Sequence, residues 1–180
     1  MAIAEPDLLE IADLTPALLR AHLAELAGLL RACVEAGASI GYVLPFHQND
    51  AEAFWLKKTL PALESGRLDL LVARLDGRIV GTAQLDADTM PNQPHRAEVR
   101  KLMVHPDIRR RGIARALMGE IEARARGRGR TLLTLDTRTG DAAEPLYALI
   151  GYQTTGVIPG YCIDAITGAF DGTTIMYKQL

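Results

Sequence analysis

Residues 68–87 read LDLLVARLDGRIVGTAQLDA, two β-rich runs around Asp76-Gly77. Asp-Gly between such runs is the strongest short-range hairpin signal, because a two-residue turn of matching twist needs φ > 0 at both central positions. Two adjacent antiparallel strands are therefore predicted, and the rest of the chain must extend that sheet. AEVRKLMV (97–104) alternates polar and apolar side chains, a third strand that ends at His105-Pro106. TLLTLDT (131–137) is a fourth. Two more are expected at about 152–157 and 173–178, flanking a loop with Pro159, Gly160, Gly168 and Gly172, and a short one at 7–14 precedes them all.

Between the strands the period changes to that of helices. Thr15 and Pro16 form an N-cap and N1 pair, and Leu19, Leu23, Leu26, Leu30, Cys33 and Val34 recur at three and four, predicting one helix closed by Gly37. Asn49 or Asp50 caps a second helix over about 51–60, which Pro61 interrupts or ends. From Gly112 onward, Ile113, Ala114, Leu117, Met118, Ile121 and Ala125 form an apolar stripe, with Arg115, Glu122 and Arg126 on the opposite face. DAAEPLYALIGY is a short helix with Pro145 in its first turn and Gly151 past its end. The prediction is a mixed α/β sheet with helices on both faces, in one domain over 1–180.

At residues 109–111 three arginines stand between the third strand and its following helix. A net charge of −2 argues against a polyanion binder, and no aromatics interleave the arginines, so nucleic acid is not the expected partner. The two cysteines show no CxxC, and the four histidines no ligand spacing, so no metal site is expected. MAIAEPDLLEIADL lacks a positive leader region, and no apolar run approaches the ~20 residues of a membrane span, so a soluble cytoplasmic protein without membrane contact is expected.

A strand, a tight turn and a helix opening at a glycine leave backbone N–H groups aimed outward, a ready phosphate site. No GxxxxGK[ST] or GxGxxG is present; Arg109-x-x-Gly112-x-Ala114 is. Here the sequence resembles the GNAT superfamily of acyl-CoA-dependent N-acyltransferases, whose signature at this junction is [QR]-x-x-G-x-[GA]. The preceding LMVHP is similar to that family's pantetheine-holding strand. The resemblance runs through LLTLDTRTGDAAEPLYALIGYQTTGVIPGY to TTIMYK, residues 97–180, and within the superfamily that run looks like the tabtoxin resistance acetyltransferase group. The first 96 residues fit the same layout loosely. The resemblance implies a mostly antiparallel six- to seven-stranded sheet flanked by about four helices. It also implies acetyl-CoA as co-substrate, with backbone N–H groups of Arg110, Arg111, Gly112, Ile113 and Ala114 on the pyrophosphate and Arg109 and Arg115 alongside. Leu102, Met103 and Val104 would pair with the pantetheine arm and polarise the thioester carbonyl.

Acyl transfer to nitrogen needs a neutral amine, and an alkylamine of pKa about 10.4 loses roughly 4 to 5 kcal/mol to be neutral at pH 7. Glu98 and Asp136, on strands expected to be neighbours, could share a proton and so raise one pKa; in the group resembled the matching acidic residues are proposed as the base. The alternative is that Glu98 is a structural partner of Arg100, Lys101 or Arg138. Tyr147 occupies the short helix where GNAT enzymes commonly place the proton donor to the leaving thiolate. His47, Tyr42 and Phe46 lie in the segment that lines the acceptor pocket in that superfamily, whereas Phe54 and Trp55 read as core. The acceptor expected is a primary amine on a small, amino-acid-like molecule or toxin; a protein acceptor and a non-catalytic CoA-binding module stay open. A homodimer is compatible with an exposed C-terminal sheet edge.

Overall fold

The computed structural model describes residues 8–180. Residues 1–7, which hold much of the N-terminal reading and the first residue of the strand expected at 7–14, lie outside the described residues. One sheet takes the order β1-β2-β3-β4-β5-β7-β6. Its strands are β1 Leu9–Asp13, β2 Leu68–Leu75, β3 Arg78–Asp86, β4 Arg96–Val104, β5 Leu132–Arg138, β6 Gln153–Ile163 and β7 Phe170–Gln179. All neighbours are antiparallel except β4 and β5. The β2–β3 turn is the predicted one, with Asp76 and Gly77 both left-handed at φ 50° and 79°.

Each face of the sheet carries its own apolar layer. Leu70 and Val72 of β2 face a layer with Leu19, Leu26, Leu30 and Trp55, while Leu71 and Ala73 face Leu117, Ile121 and Leu133. The first layer is built by α1 Pro16–Ala21, α2 Leu23–Glu35, α3 Gln48–Phe54 and α4 Leu60–Glu64, the second by α5 Ile113–Gly127 and α6 Ala143–Leu149.

Four expectations are corrected. The helix opened by Thr15 is two, broken at His22 (φ −106°, ψ 20°), after which Glu25 of α2 accepts the Ile79 N–H of β3 at 2.6 Å. The second helix starts at Gln48, with Asp50 reaching back to the His47 N–H at 2.9 Å, and Pro61 does not end it. A π turn, Trp55–Thr59, closed by the Leu60 N–H on the Trp55 carbonyl, widens the helix just before the proline ring. Glu122, predicted on the polar face of α5, is buried and holds Lys178 of β7 through both carboxylate oxygens at 2.7 Å. The last two strands are longer than their patterns suggested. Pro159 and Gly160 lie inside β6, where the register with β7 skips from Ile158 to Cys162, and Gly172 lies in β7. An edge strand tolerates a missing N–H at such an irregularity.

Candidate active site

The parallel β4–β5 ladder holds only Arg96, Ala97 and Glu98 against Leu132, Leu133 and Thr134. Beyond Glu98 the two strands separate, and the far half of β4 presents a backbone edge with no strand beside it. The direction of that edge follows from its neighbours. His105 N–H donates to Val80 of β3 at 2.8 Å, and the Met103 carbonyl lies so close to Gly81 of β3 that a Cβ there would meet it at 2.9 Å. Both groups face β3, so the Val104 N–H and carbonyl face the gap. That carbonyl is met by Arg109 Nε at 3.3 Å and by the Cys33 thiol at 3.6 Å. The Val104 N–H is the donor aimed into the gap. Leu102 and Val104 are half-buried and Met103 is buried.

A single 3₁₀ turn, Pro106–Ile108, then leads to the arginines. Arg109 is extended, Arg110 is left-handed at φ 63°, and Gly112 is left-handed at φ 80° and caps α5. Left-handed residues so close together turn successive N–H groups inward, the concave arrangement that binds anions. No side chain caps α5, and its first turn contains no acidic residue. A helix start favours anions, and Arg110, Arg111 and Arg115 stand around this one, all exposed. A Cβ built on Gly112 meets nothing within 4 Å, so the space over the helix start is open for a ligand. These observations fit a pyrophosphate held by the backbone of residues 110–114. Ile113 is buried and Ala114 half-buried, so these two would contribute N–H groups rather than side chains. Arg109, bent back onto Val104, ties the cradle to the open edge.

The expected acid–base residues converge beside the gap. Glu98 ends the β4–β5 ladder, and Asp136 lies two residues beyond its partner Thr134 on β5. Burial pushes the Glu98 carboxyl above its ordinary pKa; Asp86 and Asp136 push the same way, while Arg100 and Arg96 oppose. Its ion pair with Arg100 is long, 3.9 Å, because Arg100 is engaged at 2.7 Å by Asp86. Asp136 is exposed between buried Leu135 and Thr137 and takes a long hydrogen bond from Thr173 of β7 at 3.4 Å. Tyr147 of α6 is 6% exposed and packs against Tyr152 with ring centroids 5.8 Å apart. Burial first, then Asp136 and Asp141, raise its pKa far above that of a free phenol, so the hydroxyl stays protonated.

The segment between α2 and α3 supplies aromatic walls. Tyr42 lies 4.6 Å from Phe46 and 5.9 Å from Phe54 between ring centroids, and the three line a concavity of about 510 Å³ with Lys57 and Lys58. His47 caps α3 beside them. Trp55 is core, as expected, whereas Phe54 serves both core and wall. Two residues were not singled out by the sequence. Cys33 was read only as a helix-face residue, and its contact with Val104 depends on a strand 71 positions away. Lys101 was weighed only as an ion-pair partner; it sits at a β4 bulge with φ 50° and donates to the Ile40 carbonyl at 2.6 Å. The signal for it was a polar residue immediately before LMV, where alternation alone does not reveal a bulge. Among the described residues no group of three His, Cys, Asp or Glu side chains is placed to hold a metal ion, and no helix is long and apolar enough to cross a membrane.

Comparison with known proteins bears on the family and the fold. The model of the acetyltransferase (GNAT) family matches residues 29–152, from the middle of α2 through the cradle to Tyr152. The chain belongs to the GNAT family. An uncharacterized N-acetyltransferase of Azospirillum brasilense is 38% identical over 114 residues, 62% of this chain and 66% of that protein. An acetyltransferase of Pectobacterium atrosepticum is 37% identical over 89 residues, 49% of this chain and 60% of that protein. The matched stretches thus span less than two thirds of these GNAT relatives. The fold match is longer. The ribosomal-protein-alanine N-acetyltransferase of Brucella melitensis superposes with a TM-score of 0.76 at 24% identity, covering 95% of this chain and 99% of that one. The Salmonella typhimurium acetyltransferase solved with its cofactor acetyl-CoA gives 0.74 at 20% identity, covering 96% and 94%.

Proposed function

We propose that this GNAT protein is an acetyl-CoA-dependent N-acetyltransferase, a single domain over 1–180, that acts on a primary amine of a small amino-acid-like molecule or toxin by direct transfer in a ternary complex. The observation that carries the reading is the α5 start: it opens at left-handed Gly112, has no acidic residue in its first turn, carries exposed Arg110 and Arg115, and follows directly on the open edge of β4. A pyrophosphate there would meet the backbone N–H groups of the turn and the positive end of the helix together. The C-terminal resemblance to the tabtoxin resistance group supports an acceptor of that class, and a cytoplasmic location is part of the same proposal.

Acetyl-CoA supplies an activated thioester when bound. Residues 110–114 hold its phosphates, Arg109 and Arg115 add positive field, and the Val104 N–H, between Leu102 and Met103 on one side and the cradle on the other, polarises the acyl carbonyl. Glu98, raised in pKa and flanked by Asp136, attracts the acceptor ammonium and takes its proton. The amine nitrogen then forms the amide bond as the carbon–sulfur bond breaks; its surplus N–H proton passes to water, and Tyr147 delivers a proton to the departing thiolate and is reprotonated from water. Positioning two reactants in one gap contributes more than the proton transfers. Thiol release from acetyl-CoA across a panel of small amines tests this; tight acetyl-CoA binding with no release from any amine would leave only a CoA-binding module.

We also carry the homodimer as a proposal. β6 is an edge strand of eleven residues with no charged side chain, and Val157, Ile158, Tyr161 and Ile163 are exposed along it. A second copy pairing there would cover an edge of the kind that single chains usually protect with charge. Sedimentation over a concentration range gives the mass: a dimer is expected, and a monomer at all concentrations overturns it.

A further inference from the structure

Lys101 is held in an unusual conformation and pointed at a particular place. Between the pairs Gln84–Arg100 and Thr82–Met103 the register of β3 and β4 shifts by one residue, and Lys101 is left-handed at φ 50°. Such a backbone costs a non-glycine residue roughly 1–3 kcal/mol and persists where the surroundings impose it. They do so here through buried Thr82, whose hydroxyl donates to the Lys101 carbonyl at 3.0 Å. A bulge re-aims a side chain. The re-aimed ammonium reaches the Ile40 carbonyl and lies 5.8 and 5.5 Å from the centroids of Tyr42 and Phe54.

The charge of Lys101 is only partly compensated. Two neighbouring arginines are engaged by carboxylates, Arg100 by Asp86 at 2.7 Å, and Arg138 by Asp164 at 2.8 Å with Asp141 and Asp171 around it. Among the described residues no carboxylate lies within 4.0 Å of Lys101 Nζ. One carbonyl takes one of three N–H donors, and two ring faces offer a weak electrostatic well. Burial and Arg100 lower the Lys101 pKa to about 8, while Asp136 and Glu98 pull it back. Those two carboxylates thus act on the ammonium from beyond ion-pair distance.

Resting on the acetyltransferase reading, we propose that Lys101 is the specificity residue that receives a carboxylate of the acceptor. The substrate class is then an amine bearing a nearby carboxylate, with its ammonium toward Glu98 and Asp136 and its carboxylate on Lys101. Such a zwitterion supplies the missing counter-ion at both ends of the gap at once, and a half-buried lysine gains more from a carboxylate than an exposed one.

The test pairs α-amino acids with their decarboxylated amines, such as L-phenylalanine with 2-phenylethylamine and L-lysine with 1,5-diaminopentane, and measures thiol release with acetyl-CoA. The wild type is expected to favour the acid member by at least about tenfold in kcat/KM for the best pair. Lys101→Met should erase that ratio and Lys101→Arg retain most of it, with acetyl-CoA affinity unchanged in both as the check on folding. A general structural defect lowers both members together and leaves the ratio intact. Equal rates in the wild type across the panel, or a ratio that survives in Lys101→Met, overturns the proposal. If no amine releases thiol, the same pairs are titrated as N-acetyl products onto the CoA-loaded protein. A preference for the N-acetyl acids that depends on Lys101 then sustains the carboxylate site while the acetyltransferase reading fails, and no preference ends both.

Discussion

The wall of the gap formed by β4 and the start of α5 is almost entirely backbone: the Val104 N–H, the turn through Arg110 and Gly112, and an uncapped helix start within about ten consecutive residues. The rest of the proposed lining is side chains, Glu98 and Lys101 from the earlier part of β4 itself and Tyr42, Asp136 and Tyr147 from segments up to about a hundred positions apart. A backbone wall recognises what never changes between substrates, phosphate and amide-like groups, and leaves side chains free to vary. A side-chain wall can be retuned one residue at a time, which suits the half of the reaction that must discriminate.

Breaking the backbone wall should cost most. Gly112→Asp introduces a carboxylate where the anion belongs, at φ 80°, and should weaken acetyl-CoA binding by about two to three orders of magnitude, ~3–4 kcal/mol, in a calorimetric titration. Gly112→Ala separates strain from charge and should lose only about fivefold, ~1 kcal/mol. On the other wall, Glu98→Gln should leave that affinity alone and lower kcat/KM about a hundredfold. Because the Glu98 carboxyl is raised, the wild-type rate should climb with pH through a value above the ordinary carboxylate range. That limb should vanish in the Gln variant.

Tyr147→Phe should lower kcat about tenfold with unchanged acetyl-CoA binding, and the loss should shrink with acyl donors whose leaving thiol is more acidic. The smallest effect sharpens the division between walls. Lys101, near pKa 8 and facing Glu98, Asp136, Arg100 and Tyr42, must be protonated to hold a carboxylate. The ratio of kcat/KM for an amino acid to that for its decarboxylated amine should therefore fall a few-fold as pH rises past 8, since kcat/KM reports the free enzyme.

The same division explains what could be read in the sequence. The strand–turn–helix junction between β4 and α5 was legible because its parts are contiguous: a strand pattern, Arg109, Gly112, Ala114 and a helix stripe in one short run. The hairpin at Asp76-Gly77 was legible for the same reason. The break at His22 was not, since neither glycine nor proline marks it and the apolar spacing runs straight across. Pro61 misled because a π turn one residue earlier absorbs the ring, and local propensity carries no sign of that turn. Glu122 obeys the helical period for a surface residue, and only Lys178, 56 positions on, explains its burial. Lys101 was misjudged through alternation, which fails where a bulge turns a side chain aside, whereas Asp136 obeys it, exposed between buried Leu135 and Thr137.

The short parallel ladder between β4 and β5 has a thermodynamic consequence. With three registered residues out of nine and seven, the zipper stops early, and main-chain groups beyond the ladder line the fork. Whatever lies in that fork completes the sheet as a missing strand would, and by mass action its affinity is added to folding stability. The melting temperature should then report occupancy directly, so the protein serves as its own gauge of how much of the fork is filled.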